Sequence, residues 1–450
     1  MTHKEAVEFL TEAKKNGIRP GLSRVRELLR RLNNPQDGLK FIHVAGTNGK
    51  GSTCRFMASA LTECGIKVGS FNTPQLKDYE ECFTFRLRNM SEADFTLLME
   101  QIVSVSEEMR ADEIGAPTEF ECMVGLAMLF FAKKNAEIVI LECGMGGLSD
   151  ATNVIDAPLL SVLTRISYDH MQYLGETLTE IATQKAGIIK PGSKVVTVAQ
   201  NCEVMSVISK KTAHTNTELT IADESTLKKK LSPKESCFKT PDGTKVTIHM
   251  LGSYQIENAY LAFTALSLLT DLGYTLPLKK ILAGFEKASW HGRFTLLSAR
   301  RNLYIDGAHN EGAAERLKES IESYFTNKKI VYIMGMLKDK EYDKVTDLLT
   351  GYAQAVVVIT PSSPRGLDKM ELAGSIMKAA VRNYKESGGQ PSFGHYCPQI
   401  SSADSLEEAL EMADLLKGKK GIILAFGSLS FLGELTDIIE KGTNQDGRSK

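Results

Sequence analysis

The sequence predicts an α/β protein of two domains, an N-terminal domain on a mainly parallel sheet and a C-terminal Rossmann-like domain. Three observations predict it. From residue 41 onward, short apolar runs of strand length alternate with helix-length segments. One of those runs leads straight into Gly46-Thr-Asn-Gly-Lys-Gly-Ser-Thr53. The alternation pauses over a polar, Lys-rich stretch at 201–250 and restarts near residue 298.

The elements follow in order. Residues 3–32 read as two amphipathic helices broken at Gly17, Pro20 and Gly21. Phe41–Val44 is a strand and Thr53–Cys64 a helix, with further strands at Lys67–Phe71, Glu137–Leu141, Leu159–Leu163 and Lys194–Ala199. Phe238–Met250 reads as a hairpin about Pro241-Asp-Gly243, and Gly252–Leu269 as a long helix. A boundary falls between Trp290 and Asn302, which gives domains 1–297 and 298–450. Beyond it, Leu303–Ile305, Ile330–Met334, Ala355–Ile359 and Gly421–Ala425 are strands, and a last helix follows Ser430. The polar tail from Gly442 is expected to fray.

Composition bounds the class. At about 150 residues per domain, 450 residues make two to three domains. Lys plus Arg is 54 and Asp plus Glu is 55, a formal net charge of −1. That balance argues against a chain built to coat nucleic acid or an anionic membrane. Residues 1–20 carry no apolar run of a secretory signal, and no window approaches the ~20 apolar residues of a membrane span. The eight cysteines include no CxxC pair and are too sparse for a disulfide framework. The expected setting is the reducing cytoplasm, with all eight cysteines as buried small hydrophobes.

The glycine-rich segment carries the strongest chemical signal. Glycines at 46, 49 and 51 let backbone N–H groups approach phosphate oxygens, and the following helix start adds partial positive charge. Lys50 supplies a cation for the β and γ phosphates; Ser52 or Thr53 supplies a hydroxyl for Mg²⁺. The fit to GxxxxGK[ST] is imperfect, because Val44 stands at the first Gly position and Gly51 separates Lys50 from Ser52. The strand–loop–helix context favours nucleotide binding over a plain Gly-rich turn, and so a P-loop ATPase-like N-terminal domain.

Other candidates sit at strand ends, where open α/β sheets bind ligands. Glu142 closes ILE and precedes CGMGG; its carboxylate suits Mg²⁺ bound to ATP. His170 follows a strand in SYDHMQYLG and could ligate a metal or position phosphate. Taken singly, such residues are more often a helix cap and a structural histidine. Lys185 lies near the apolar face of Ile181, Ile188 and Ile189, as a snorkelling surface residue or as a lysine aimed into the site. Asp306 in DGAHN could accept from ribose hydroxyls and His309 could reach a nucleotide, although Asn310 also reads as a helix cap. Arg293 could pair with phosphate or form a surface ion pair.

Together these residues resemble the folylpolyglutamate synthase and dihydrofolate synthase family, within the Mur ligase superfamily. The resemblance spans nearly the whole chain: PGLSRVRELLRRLNNPQ, IHVAGTNGKGST, PTEFE, ECGMGG followed by DATN, DHMQYLG, TEIATQKAGIIKPG, GSYQIENA, WHGRF, DGAHN, GMLKDKE and FGSLSFLGEL, in the family's order. It implies an ATP-dependent amide ligase. ATP phosphorylates a folate or dihydropteroate carboxylate, and the amine of L-glutamate displaces phosphate from the acyl phosphate.

Carried over by position, Gly46, Thr47, Asn48, Gly49, Lys50, Gly51, Ser52 and Thr53 resemble the triphosphate cradle, and Asn258, Arg293, Asp306 and His309 the other nucleotide contacts. Ser52, Glu142 and His170 resemble Mg²⁺ ligands, and two Mg²⁺ ions are implied. Lys185 is similar to a lysine the family carbamylates, the carbamate binding the second Mg²⁺. Lys50, Lys185 and His170 are the implied catalytic set. Thr73 and Gln75, in the loop after Phe71, and Phe120 resemble the pterin side. The resemblance also implies a monomer whose partners are small molecules. Some positions depart from the family pattern: Leu148 and Ser149 in place of the GGRLDATN arginine region, Gln75 for a histidine, His291 in WPGR and Glu311 in HNP. These lie mostly near the acceptor or the domain boundary. The competing readings are a Mur-type ligase for another carboxylate and a nucleotide-binding protein without turnover.

Overall fold

Five consecutive buried residues, Phe41–Ala45, form β1 inside an eight-stranded sheet. The other strands are β2 (Val68–Phe71), β3 (Phe83–Phe85), β4 (Arg88–Asn89), β5 (Ile138–Glu142), β6 (Leu160–Leu163), β7 (Lys194–Val198) and β8 (Leu219–Ala222), in the order β4-β3-β2-β5-β1-β6-β7-β8. The pairs from β2 across to β8 are parallel; β3 and β4 add an antiparallel edge. Continuous burial of β1, β5 and β6 matches strands covered on both faces. The structure is a computed structural model that describes residues 1–446 apart from 113, 387, 389 and 391.

One face carries the helices His3–Ala13, Ser23–Arg31, Glu92–Arg110 and Glu119–Lys133, whose Leu28, Ile102, Leu126 and Phe131 share a core with Phe71 and Leu141. Helix Leu178–Ala186 and Ile188 pack with Leu163 and Val195 in a second core. The chain divides into two compact units: Met1–Lys228 with Phe238–Ile248 and Ile256–Ala288, and Lys229–Cys237 with His249–Gln255 and Ser289–Lys450.

A small sheet contains β9 (Lys228–Lys230), β10 (Ser236–Lys239) and β11 (Lys245–Ile248). The expected hairpin is β10–β11, closed by Thr240 N donating to Thr244 O at 3.0 Å. The second unit is built on β12 (Thr295–Ser298), β13 (Leu303–Asp306), β14 (Ile330–Gly335), β15 (Ala355–Val358), β16 (Gln399–Ser402) and β17 (Ile422–Gly427), in the order β12-β13-β17-β14-β15-β16. Among the described residues, β12 is the one antiparallel strand of this sheet.

Several expectations are corrected. The stretch from 201 holds a helix, Cys202–Thr215, and then β8. Asn201 caps that helix, and Val204, Ile208 and Thr212 at i, i+4 and i+8 bury one stripe beneath a polar surface. The helix after the glycine loop starts at Lys50, not Thr53, because left-handed Gly49 turns the chain directly into it. The last helix runs Leu429–Asp446, so helix continues past Gly442; residues 447–450 lie outside the described residues. All eight cysteines are free thiols, but Cys202 and Cys397 are exposed and Cys64 and Cys237 half-buried, rather than core residues. Among the described residues, no helix is long and apolar enough to cross a membrane.

Candidate active site

The C-terminal ends of β5, β1 and β6 lie side by side, with Val44 opposite both Glu142 and Val162. This register gathers the glycine loop, Glu142 and the segment 164–170 at the C-terminal end of the central strands. The loop is clamped to that last segment. Thr47 N donates to Arg165 O at 2.8 Å, Thr47 Oγ1 donates to Ser167 O at 2.9 Å, and Ser167 N donates back to Thr47 Oγ1 at 3.0 Å. Arg165 forks onto Glu257, with Nε 3.1 Å from Oε1, at the start of helix Gln255–Asp271. Asn258 follows; a Cβ on Gly49 (φ +90°) would lie 2.2 Å from its Oδ1. Only glycine permits both that backbone and that approach.

Two lysines meet at the loop. Lys50 Nζ donates to Gly46 O and Thr47 O, each at 3.1 Å. Lys185 Nζ donates to the same Gly46 O at 2.9 Å. Lys185 is buried and not snorkelling, so of its two sequence readings the geometry takes the inward one. Burial first, then the neighbouring Lys50 charge, push its pKa from 10.5 down to about 7, against the opposing pull of Asp169. A substantial share of neutral amine at neutral pH follows.

Ser52 and Thr53 are buried in the first turn of helix Lys50–Glu63. Glu142 is 4% exposed and accepts from Asn72 Nδ2 at 2.9 Å. His170 is half-buried in a left-handed conformation, with Nε2 3.8 Å from Asp169 Oδ2. Phe120 stacks over Gly144, where a Cβ would meet its ring at 2.7 Å, and its centroid lies 6.0 Å from that of Phe71. Gln75 Oε1 faces Cys82 Sγ at 3.7 Å, and Thr73 is half-buried before Pro74. Among the described residues, no group of three His, Cys, Asp or Glu forms a cage for a metal. The donors at this end are a hydroxyl and a carboxylate oxygen. They suit a hard cation such as Mg²⁺, which keeps water and phosphate oxygens and needs few protein ligands.

The second unit builds a different centre. Asp306 ends β13, 4% exposed. Its Oδ2 accepts from Tyr254 OH at 2.7 Å and Phe294 N at 2.8 Å; its Oδ1 accepts from Ala308 N at 2.8 Å. Burial raises its pKa despite these donors and nearby Arg293. The Arg293 guanidinium lies against Gly307, where a Cβ would be 2.8 Å from Nη1. His309 Nδ1 pairs with Gly307 O at 2.7 Å, and Asn310 caps helix Glu311–Tyr324 through Ala313 N. His309 and the Asn310 cap thus coexist.

Sequence reading missed Asn72, Asp169, Arg165, Glu257 and Tyr254. It also missed Asp150, buried, which accepts from Met145 N and Thr152 N at 2.9 Å and so fixes the glycine turn after Glu142. Asp150, Asp169, Glu257 and Tyr254 lie inside motifs that drew attention; their signal was adjacency alone. Asn72, first in the loop after Phe71, and Arg165, in the TRISYDH that follows Leu163, likewise had adjacency alone.

A strand–glycine loop–helix with two lysines on the Gly46 carbonyl, joined in one chain to a second mainly parallel α/β unit, is the build of a nucleotide-using enzyme. Family comparison agrees: the Mur ligase middle domain matches residues 44–266 and the Mur ligase glutamate ligase domain residues 292–429. The chain is 32% identical over 444 residues to dihydrofolate synthase/folylpolyglutamate synthase of Bacillus subtilis, covering 96% of this chain and 98% of the relative. It is 31% identical over 353 residues to folylpolyglutamate synthase of Lacticaseibacillus casei, covering 76% and 82%. Among solved structures, folylpolyglutamate synthase from Thermotoga maritima superposes with a TM-score of 0.79 at 28% identity, over 98% of each chain. FolC of E. coli in complex with DHPP and ADP gives 0.83 at 25% identity, over 97% and 98%. The chain belongs to the dihydrofolate synthase/folylpolyglutamate synthase family and is an ATP-dependent acid–amino-acid ligase.

Proposed function

We propose that this protein joins L-glutamate to the carboxylate of a folate or of dihydropteroate, using ATP and Mg²⁺, as a monomer in the cytoplasm. The relatives' names and the ADP and DHPP complex support the substrate class. The unit Met1–Lys228 with Phe238–Ile248 and Ile256–Ala288 serves as the ATP-binding domain, and the unit that holds Ser289–Lys450 as the glutamate-ligase domain. The observation that carries the reading is the convergence of Lys50 and Lys185 on the Gly46 carbonyl beside a glycine loop.

The acceptor carboxylate attacks the γ-phosphorus, a P–O bond forms to it, and ADP leaves. The loop N–H groups and Lys50 hold the charge on the transferring group. The glutamate amine then attacks the acyl carbon; its C–N bond forms, phosphate leaves, and one proton is released. Ser52, Glu142 and His170 would hold Mg²⁺, which neutralises charge on the phosphates when bound. The depressed pKa of Lys185 suits carbamylation: its neutral amine adds to CO₂, a proton leaves, and a carboxylate replaces an ammonium for a second Mg²⁺. Asn258, Arg293, Asp306 and His309 complete the nucleotide contacts; Phe120, Thr73 and Gln75 border the acceptor. The test is ATP-dependent phosphate release with L-glutamate and either dihydropteroate or a reduced folate, with product mass. A product heavier by one glutamate with either acceptor is expected. No product with both, from protein that binds ATP, overturns the reading in favour of another carboxylate.

A further inference from the structure

We infer that Asn72 is a positioning residue that fixes the Glu142 carboxylate for a small octahedral cation; the inference rests on the reading of Glu142 as a metal-holding carboxylate. β2 and β5 pair in parallel with Phe71 opposite Leu141, so Asn72, the first residue after β2, and Glu142, the last of β5, are neighbours at the sheet end. Asn72 lies against the buried Cys54 thiol, a hydrogen-bonding neighbour, and makes three further hydrogen bonds. Its backbone N donates to Cys82 O at 3.0 Å. Its Oδ1 accepts from Ser70 Oγ at 2.6 Å, and its Nδ2 donates to Glu142 Oε2 at 2.9 Å. Ser70, Asn72 and Glu142 are 2%, 5% and 4% exposed, so water does not compete for these bonds. The serine sets which way the amide faces; the amide sets which carboxylate oxygen is engaged.

Partners behind a metal ligand orient it and tune its affinity. An amide N–H is neutral, so it fixes the carboxylate without cancelling its charge. It also occupies part of one oxygen, which biases Glu142 toward binding through a single oxygen. Mg²⁺ accepts that geometry, whereas Ca²⁺ favours more ligands and bidentate carboxylates. The Ser70–Asn72 pair therefore contributes both affinity for Mg²⁺ and selectivity over Ca²⁺.

The test titrates Mg²⁺, and separately Ca²⁺, into full-length protein with a non-hydrolysable ATP analogue, following analogue binding by calorimetry. Asn72→Ala is expected to raise the Mg²⁺ needed for half-maximal binding by about 10- to 100-fold. The Ca²⁺ requirement should shift by much less, and metal-free analogue affinity should stay unchanged. Ser70→Ala, which leaves both Glu142 and the amide in place, should shift the Mg²⁺ requirement in the same direction by a smaller factor. It carries the test if Asn72→Ala does not fold. A Mg²⁺ requirement unchanged in both variants, or equal losses for Mg²⁺ and Ca²⁺, overturns the inference. Glu142→Gln separates the levels. If it shifts the Mg²⁺ requirement while the Asn72 and Ser70 variants do not, the positioning role fails alone; if it shifts nothing, the reading of Glu142 fails and the inference with it.

Discussion

The glycine loop of the first unit and the Asp306 centre of the second both fix polar groups at the end of a parallel strand, by opposite constructions. The loop is made of backbone. Glycines at 46 and 49 take left-handed or tightly approached conformations, and hydrogen bonds to Arg165 and Ser167 hold the chain in place. The Asp306 centre is made of one side chain, onto which Tyr254 and Phe294 converge from other segments and Ala308 from two residues on. A backbone cradle tolerates no added Cβ but many neighbouring changes. A converging carboxylate spreads its hold over several donors, so losing one of them costs little by itself.

The largest expected effect belongs to the loop's charge. Lys50→Ala should reduce turnover by about 10³-fold while the protein keeps its circular dichroism and thermal transition. Normal turnover in that variant would remove the loop from the chemistry. Gly49→Ala tests the backbone construction itself. The new Cβ meets Asn258 and the φ of +90° is strained, so stability should fall by about 1–3 kcal/mol and nucleotide affinity with it. Unchanged nucleotide affinity would show that the cradle is not shaped by Gly49.

Lys185 links charge to pH. Its folded pKa, about 7, lies below the ordinary 10.5, so between those values the unfolded chain binds the extra proton. Stability contributed at this site therefore rises with pH across that window. In CO₂-free buffer, where Lys185 stays an amine, Lys185→Met should gain most over the wild type at pH 7 and below, and the gain should vanish by about pH 10.5. Denaturant titrations at several pH values check this; a pH-independent difference would exclude burial of the ammonium as the cause. The smallest effect is in the second unit. Tyr254→Phe removes one donor from a buried carboxylate and should cost about 1 kcal/mol of stability. An Asp306→Ala change in the Tyr254→Phe background should then add less than it does alone, because both act on one hydrogen bond.

The same contrast explains what could be read from sequence. The loop is contiguous, so Gly46 to Thr53 announced itself, and the strands around it showed as apolar runs. Glu142 was visible as a polar residue closing such a run and His170 as one following another. Lys185 was visible only as a choice between surface and interior, because helical periodicity does not say what covers a face. Asn72 and Tyr254 were not legible as site residues, since their partners lie 70 and 52 positions away in sequence. Helix Cys202–Thr215 escaped notice because its buried stripe is narrow and its remaining surface polar. Family resemblance supplied roles that spacing alone could not.

The central claim is that a carboxylate oxygen attacks ATP and later leaves with phosphate. It is tested most directly with acceptor whose reacting carboxylate carries ¹⁸O, in a single turnover with ATP and L-glutamate. The account predicts one labelled oxygen transferred to the released inorganic phosphate for each amide formed. Label in AMP, or amide formation with unlabelled phosphate, would contradict it.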